Sequence, residues 1–266
     1  MLECVVNLSE GRSASLLERL TADLSGSLLD VHADPHHHRS VVTLAGPDVE
    51  EAARLLTRRA VDLLDLSTHA GAHPRLGVVD VVPFVPITGP SLAGAVSARD
   101  RFAHWAAGAM GLPCFLYGPE RTLPEVRRLA FRSLPPDVGP PEPHPTAGAV
   151  SVGARPPLVA YNLWLARDDV AVARSIAAGL RGPGVRALGL DLGGRAQVSC
   201  NLIDPVRTGP AAVYDAVSAR APVARAELVG LIPAAALLQV PRSRWAELDL
   251  SEDRTIEARL GARRRA

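Results

Sequence analysis

Residues 134–145 read LPPDVGPPEPHP, a run that carries six prolines. Each proline fixes φ and removes a backbone donor, so the run can be neither helix nor central strand. It reads as an extended linker, and it divides the chain into two halves, 1–148 and 149–266.

Back from the linker, the first half alternates between two periodicities. Leu2 to Asn7 is apolar and stops at SEG, which reads as a strand and a turn. Leu16, Leu17, Leu20 and Leu24 recur at helical spacing. Ser13 or Ser15 can cap that helix, Ser15 with Glu18 as a capping box, and Gly26 ends it. Ser27–Ala33 and Arg39–Ala45 read as strands joined by a turn at Asp34-Pro35. Val49 to Leu64 is a helical stripe. Gly77 to Ile87 is a strand whose Pro83 and Pro86 point to a sheet edge or an irregular end. The order is β-α-β-β-α-β, the ferredoxin-like split βαβ arrangement. Two helices, Ser91–Met110 and Leu123–Phe131, with a strand at Cys114–Tyr117 between them, elaborate this half.

Forward from the linker the same order returns. Strands are predicted at Pro157–Leu165, Val185–Leu192, Arg195–Ile203 and Ala226–Ile232, helices at Asp168–Leu180 and Ala211–Ala221, and a hairpin turn at Gly193-Gly194. The fold expected is therefore α+β, two ferredoxin-like βαββαβ subdomains with helices on one face of each sheet. A cleft between such halves is where a ligand is expected. From Ser243 onward a short helix near Thr255 to Leu260 precedes a basic, solvated tail.

Bulk properties exclude several classes. Net charge is +1, without the basic footprint that nucleic acid demands. No apolar run reaches the length that spans a bilayer, and the N-terminus has the pattern of a strand rather than a signal peptide. Cys4, Cys114 and Cys200 are scattered and odd in number, which suits buried, reduced thiols in a cytosolic protein. There is no GxxxxGK[ST] phosphate loop and no GxSxG elbow.

Histidine is the main chemical signal. Six of the eight lie between His32 and His73. His69 and His73 are four apart, as in a helical zinc motif, but Pro74 keeps His73 out of helix and the motif's glutamate is missing. No metal is expected. General acid–base work suits His73 better, on a Gly- and Pro-bearing loop that enters a buried strand. Arg39, Arg75 and Arg155 each flank a short motif, and guanidinium groups bind carboxylates in a bidentate way.

The runs ECVVNLSEG, DPHHHRSVVTLAGP, THAGAHPRLGVVDVVPFVPI, PDVGP, GARPPLVAYN, AQVSCNLID and AELVGLIP follow one another in this chain. In that order they resemble the glutamate formimidoyltransferase (formiminotransferase) family over almost the whole length. The resemblance implies two α+β subdomains with folate in a tunnel between them, a homodimer, and transfer of a formimidoyl group between N-formimidoyl-glutamate and tetrahydrofolate, a late step of histidine breakdown. Tetrahydrofolate would be a co-substrate, and some members use formyl donors. The family's catalytic histidine falls on His73. Its folate-binding loop falls on residues 139–148, with Gly139, Pro140, His144 and Gly148 as candidates. Glutamate and folate carboxylates are what Arg39, Arg75 and Arg155 would meet. The chain is expected to be a standalone transferase, without the cyclodeaminase domain that follows in vertebrates.

Five positions, in four motifs, depart from the family pattern. Val6 and Leu8 stand in the first strand's motif, and Ala72 replaces the glutamate of GEHPR. His32 replaces an acidic residue of the second strand, and His38 an asparagine before the hairpin arginine. Asp34, two residues from His32, points to the same side of an extended chain and is the candidate to orient the catalytic imidazole in its place. The departures leave open a member with another acceptor or a formyl donor, a non-catalytic folate binder, and a metal-binding protein built on the histidine hairpin.

Overall fold

The computed structural model describes residues 1–71, 74–87 and 91–263. The chain forms two compact units, Met1–Pro156 and Pro157–Ala266. No described helix is long and apolar enough to cross a membrane.

The first unit opens with β1 (Leu2–Leu8), α1 (Ala14–Thr21), β2 (Leu28–Asp34), β3 (Arg39–Ala45), α2 (Val49–Leu63) and β4 (Val79–Pro86). Its sheet runs β2-β3-β1-β4 through these strands, all antiparallel. That is the split βαβ order the periodicities predict. The α1 cap is Ser13, whose hydroxyl accepts from Leu16 N at 3.3 Å, rather than Ser15 with Glu18. Leu17 and Leu20 of α1 and Ala53, Leu56 and Ala60 of α2 bury one stripe each against the sheet, where Val6, Val42, Leu44, Val82 and Phe84 complete the core.

Beyond this frame come α3 (Leu92–Met110), β5 (Cys114–Tyr117), α4 (Leu123–Leu129) and β6 (Val150–Ala154). Strand β6 pairs parallel with both β4 and β5, extending the sheet to six strands, β2-β3-β1-β4-β6-β5. Two expectations change here. Strand β4 is central, not an edge. Its ladder with β1 is interrupted between the Cys4–Phe84 and Asn7–Val81 pairs, which is where Pro83, lacking an N–H, sits. Residues 134–145 contain no helix or strand, but they are not a free linker. Asp137 N and Val138 N donate to Cys114 O, and the chain then enters β6, so the first unit runs past Gly148 to Pro156.

The second unit is β7 (Val159–Leu165), α5 (Val170–Leu180), β8 (Val185–Asp191), β9 (Ala196–Leu202), α6 (Pro210–Ser218) and β10 (Val223–Val229). Its sheet, β10-β7-β9-β8, is antiparallel throughout and repeats the first four strands of the other unit. Tyr161, Leu163 and Leu165 of β7 pack with Ala173, Ile176, Val213 and Val217 of its helices. Short helices α7 (Ala234–Leu237) and α8 (Ile256–Arg263) follow. The expected C-terminal helix is docked at its start, since Thr255 bridges Ile232 and Ile256 is buried, and the last three residues of the basic end lie outside the described residues. Cys4, Cys114 and Cys200 are free and buried.

Candidate functional site

Strand directions bring the chemistry of the first unit to one end of its sheet. There β1 finishes and β3, β4, β5 and β6 begin. This end therefore gathers Asn7 and Glu10, the β2–β3 hairpin, the run from Pro74 to Asp80, and the loop that leads into β6. Of the expected site residues, Asp34, His38, Arg39, Arg75, His144 and Gly148 lie here. Gly139 and Pro140 follow Val138, which bridges the first residue of β5. Arg155 lies at the opposite end, its N–H donating to Phe84 O at 3.2 Å. His73 lies outside the described residues, as does Ala72.

The hub is Asp80, fully buried at the start of β4. Its Oδ2 accepts from Arg39 Nη1 at 2.7 Å and from Arg127 Nη2 at 2.6 Å, and its Oδ1 accepts from Leu76 N at 2.8 Å. Burial alone would raise the Asp80 pKa, but the Arg127 and Arg39 guanidiniums outweigh it and hold the carboxyl below the usual range. Arg39 is engaged further. Its Nε and Nη2 donate to Asn7 Oδ1 at 3.1 and 2.6 Å, and burial pulls its pKa down to about 10. Arg39 is thus a built-in member of the sheet end, where the sequence suggests a carboxylate binder.

The histidine hairpin is set by Asp34. Its Oδ1 accepts from the N–H of His36 and of His37, at 2.8 and 2.9 Å, an Asx-type turn that closes the loop. Its Oδ2 lies 3.8 Å from His37 Nε2. His38 completes the turn at φ +48°, a left-handed conformation that asparagine and histidine tolerate better than most residues. Gly11 faces this hairpin so closely that a Cβ there would lie 2.4 Å from Asp34 O and 2.5 Å from Arg39 N.

The imidazoles of His38 and His69 stack, with centroids 4.2 Å apart and planes at 28°. His38 Nδ1 accepts from Gly11 N at 3.3 Å. His69 Nε2 lies 3.1 Å from His38 O, and Arg75 Nη1 lies 2.7 Å from His69 Nδ1. Both histidines have lowered pKa values, first from burial, then from a cationic neighbour: His69 for His38, and Arg75 for His69. Glu10 stands 3.7 Å from His38 Nδ1. Burial works to raise its pKa, but the N–H groups of Ser13 and Arg12, at 2.9 and 2.7 Å from its Oε1, keep it low.

The loop before β6 is self-braced. His144 and Gly148 exchange backbone bonds at 2.8 and 2.9 Å, and His144 Nδ1 accepts from Ala147 N at 3.0 Å. Gly148 has φ +73°, and a Cβ there would lie 2.3 Å from Leu76 O. The loop therefore lies against the chain that leaves the HPR run.

Two guanidiniums, from Arg39 and Arg127, thus hold one buried carboxylate, and a third, from Arg75, lies against His69 of the stacked imidazole pair. Such an end can receive carboxylates and manage a proton near neutral pH. A cation is poorly served, because Arg75 lies along the His69 ring edge. Among the described residues no group of three or more His, Cys, Asp or Glu could hold a metal ion. Sequence reasoning passed over Asn7, Glu10, Asp80 and Arg127, and weighed His69 only as a metal ligand. Asp80 had one visible signal, an acid within the apolar run GVVDVVPFV. Arg127 had none.

Residues 1–155 match the formiminotransferase domain, N-terminal subdomain. The chain is 36% identical over 273 residues to the glutamate formimidoyltransferase of Streptococcus pyogenes serotype M1, covering 90% of this chain and 91% of that protein. It is 30% identical over 278 residues to the glutamate formimidoyltransferase of Thermoplasma acidophilum, covering 91% of each. It is 36% identical over 279 residues to the formimidoyltransferase-cyclodeaminase of Sus scrofa, and the alignment spans 51% of that longer protein.

Proposed function

The chain belongs to the formiminotransferase family, and on that premise we propose that it is a folate-dependent glutamate formimidoyltransferase in which His73 moves the proton that the exchange requires. It is a one-carbon group transferase. A ring nitrogen of tetrahydrofolate attacks the amidine carbon of N-formimidoyl-glutamate, and a C–N bond forms to give a tetrahedral intermediate. His73 takes the proton from the attacking nitrogen and returns it to the glutamate nitrogen. The C–N bond to glutamate then breaks, releasing glutamate and formimidoyl-folate, with no change of oxidation state. Holding both reactants in place supplies much of the rate enhancement.

What supports this most is the fastening of both flanks of His73 at the cationic sheet end. On one side Gly71 lies against His37 O. On the other, Arg75 donates to His37 O and His38 O at 3.3 and 3.4 Å. Arg75 supplies positive charge for a substrate carboxylate. The loop carrying Gly139, Pro140, His144 and Gly148 faces the folate, and Asp34 supports the imidazole through the hairpin. A homodimer in the cytoplasm, acting in histidine breakdown, completes the proposal.

The test is turnover of tetrahydrofolate and N-formimidoyl-glutamate to formimidoyl-folate, followed by absorbance. His73→Ala is expected to lower kcat by roughly 10²–10⁴-fold, the usual worth of general acid–base catalysis, with folate still bound. Folate binding without turnover by the unaltered chain would overturn the reading. Turnover with N-formyl-glutamate in place of the formimidoyl compound would change the donor and keep the site.

A further inference from the structure

The three residues that follow His73 are each tied to a different part of the first unit. Pro74 O accepts from Arg127 Nη1 at 2.6 Å. Arg75 reaches the carbonyls of the β2–β3 hairpin. Leu76 N donates to Asp80 Oδ1 at 2.8 Å. The first and third ties share a hinge, because the other arm of Arg127 holds Asp80 Oδ2 at 2.6 Å. One guanidinium therefore grips the peptide next to His73 and the carboxylate that fixes the loop two residues on.

Arg127 comes from α4, which the βαββαβ frame does not need. The helix is nonetheless built with care. Thr122 and Glu125 form a full capping box, and Val126 buries against the cluster of Phe115 and Tyr117. Its last turn then delivers Arg127 inward, largely shielded from solvent, while Arg128 faces out. A planar, forked cation suits two acceptors at once, which a lysine ammonium on a flexible stem does not reproduce.

We propose that Arg127 is a positioning residue for the transfer reaction: it acts through the Pro74 carbonyl and Asp80 to set where the His73 imidazole stands. The β5–α4–β6 extension of the first sheet then has a purpose, as the mount for that brace. This rests on His73 being the proton-transfer group.

The test compares Arg127→Met, Arg127→Lys and, as a control on the same helix, Arg128→Met, by steady-state kinetics and thermal unfolding. Arg127→Met is expected to lower kcat on the order of a hundredfold, as a small misplacement of a reacting group does, with KM for both substrates unchanged. Arg127→Lys keeps the charge beside Asp80 but not both bonds, and is expected to fall between, with a kcat–pH profile altered from that of the unaltered chain. Arg128→Met is expected to leave kcat intact. A folded Arg127→Met chain with full kcat, or a loss confined to KM, overturns the proposal. If the methionine chain does not fold, the lysine chain decides: native Tm with reduced kcat supports the brace, and native Tm with full kcat removes it. Absence of turnover in the unaltered chain would instead count against the transferase reading itself.

Discussion

Two hairpins occupy the same place in the two units and are built to different ends. In each, an aspartate closes strand two and four residues lead to strand three: Asp34 to Arg39, and Asp191 to Ala196. In each, that aspartate's Oδ1 accepts from turn N–H groups: His36 and His37 in the first, Gly194 at 2.8 Å in the second. The second turn meets its left-handed positions with Gly193 and Gly194, at φ +68° and +86°. The first meets its own with His38, a conformation that disfavours a side-chain-bearing residue by about 1–2 kcal/mol. In return His38 touches Gly11 and stacks on His69. Topology asks only for a turn. The first unit tolerates strain there and holds imidazoles, where the second places two glycines.

The largest expected difference between the units lies at the same sheet end. Asp80→Ala strands Arg39 and Arg127 without their shared carboxylate, and breaking a buried ion pair in this way costs about 3–5 kcal/mol. An acid inside the corresponding strand of the second unit, Glu227, which pairs with Asn162 at the middle of β7, accepts from Trp164 Nε1 at 2.9 Å and lies 3.7 Å from Arg225. Arg195 and Arg225 also stack over that tryptophan. Glu227→Ala is expected to cost about 1.5–3 kcal/mol, the worth of hydrogen bonds to a charged group. Urea midpoints measured on both variants check this, and equal losses would erase the distinction.

A smaller effect is expected at the two turn aspartates. Asp34→Asn and Asp191→Asn each keep an acceptor oxygen for the turn, so stability should change by less than about 1 kcal/mol in both. Only the first is expected to lower kcat, by about tenfold, because only its hairpin carries imidazoles. Full activity in Asp34→Asn would reduce Asp34 to a turn cap like its counterpart.

Much of this frame is legible in the chain because local pattern and final fold agree. Leu17 and Leu20 fall on one helical stripe and are buried, and the alternating strands of both units appear in order. What hides does so for physical reasons. VSVGA, the strand β6, is short and follows a proline run, so no period announces it. Missing it misplaces Arg155. Because β6 runs parallel to β4, residues 144–149 sit at the cationic end and Arg155 at the other. Pro83 argues for an edge, yet a single missing ladder bond is tolerated in mid-sheet. The Asp80–Arg127 pair spans 47 residues, a contact that no local spacing can reveal. The family resemblance points to His73 and the loop of residues 139–148, whereas the contacts of Arg127 with Pro74 and Asp80 emerge only from the fold.

The gentlest way to separate the units is acid. All eight histidines lie in the first unit and none in the second. His38 and His69 have pKa values lowered by burial, so between the folded and the ordinary histidine values the unfolded chain binds more protons than the native one. Stability from these two groups is complete above the ordinary value, about 6.5, and is lost as pH falls through the lowered folded values. Between pH 7 and pH 5 the first unit should therefore lose protection against amide hydrogen exchange before the second. The change should be sharpest around the hairpin at residues 35–38 and should shrink in His69→Gln, which cannot take up a proton. Uniform loss in both units would mean that carboxylates, not the stacked imidazoles, set the acid limit. Loss in the first unit that His69→Gln leaves untouched would shift the effect to its other histidines.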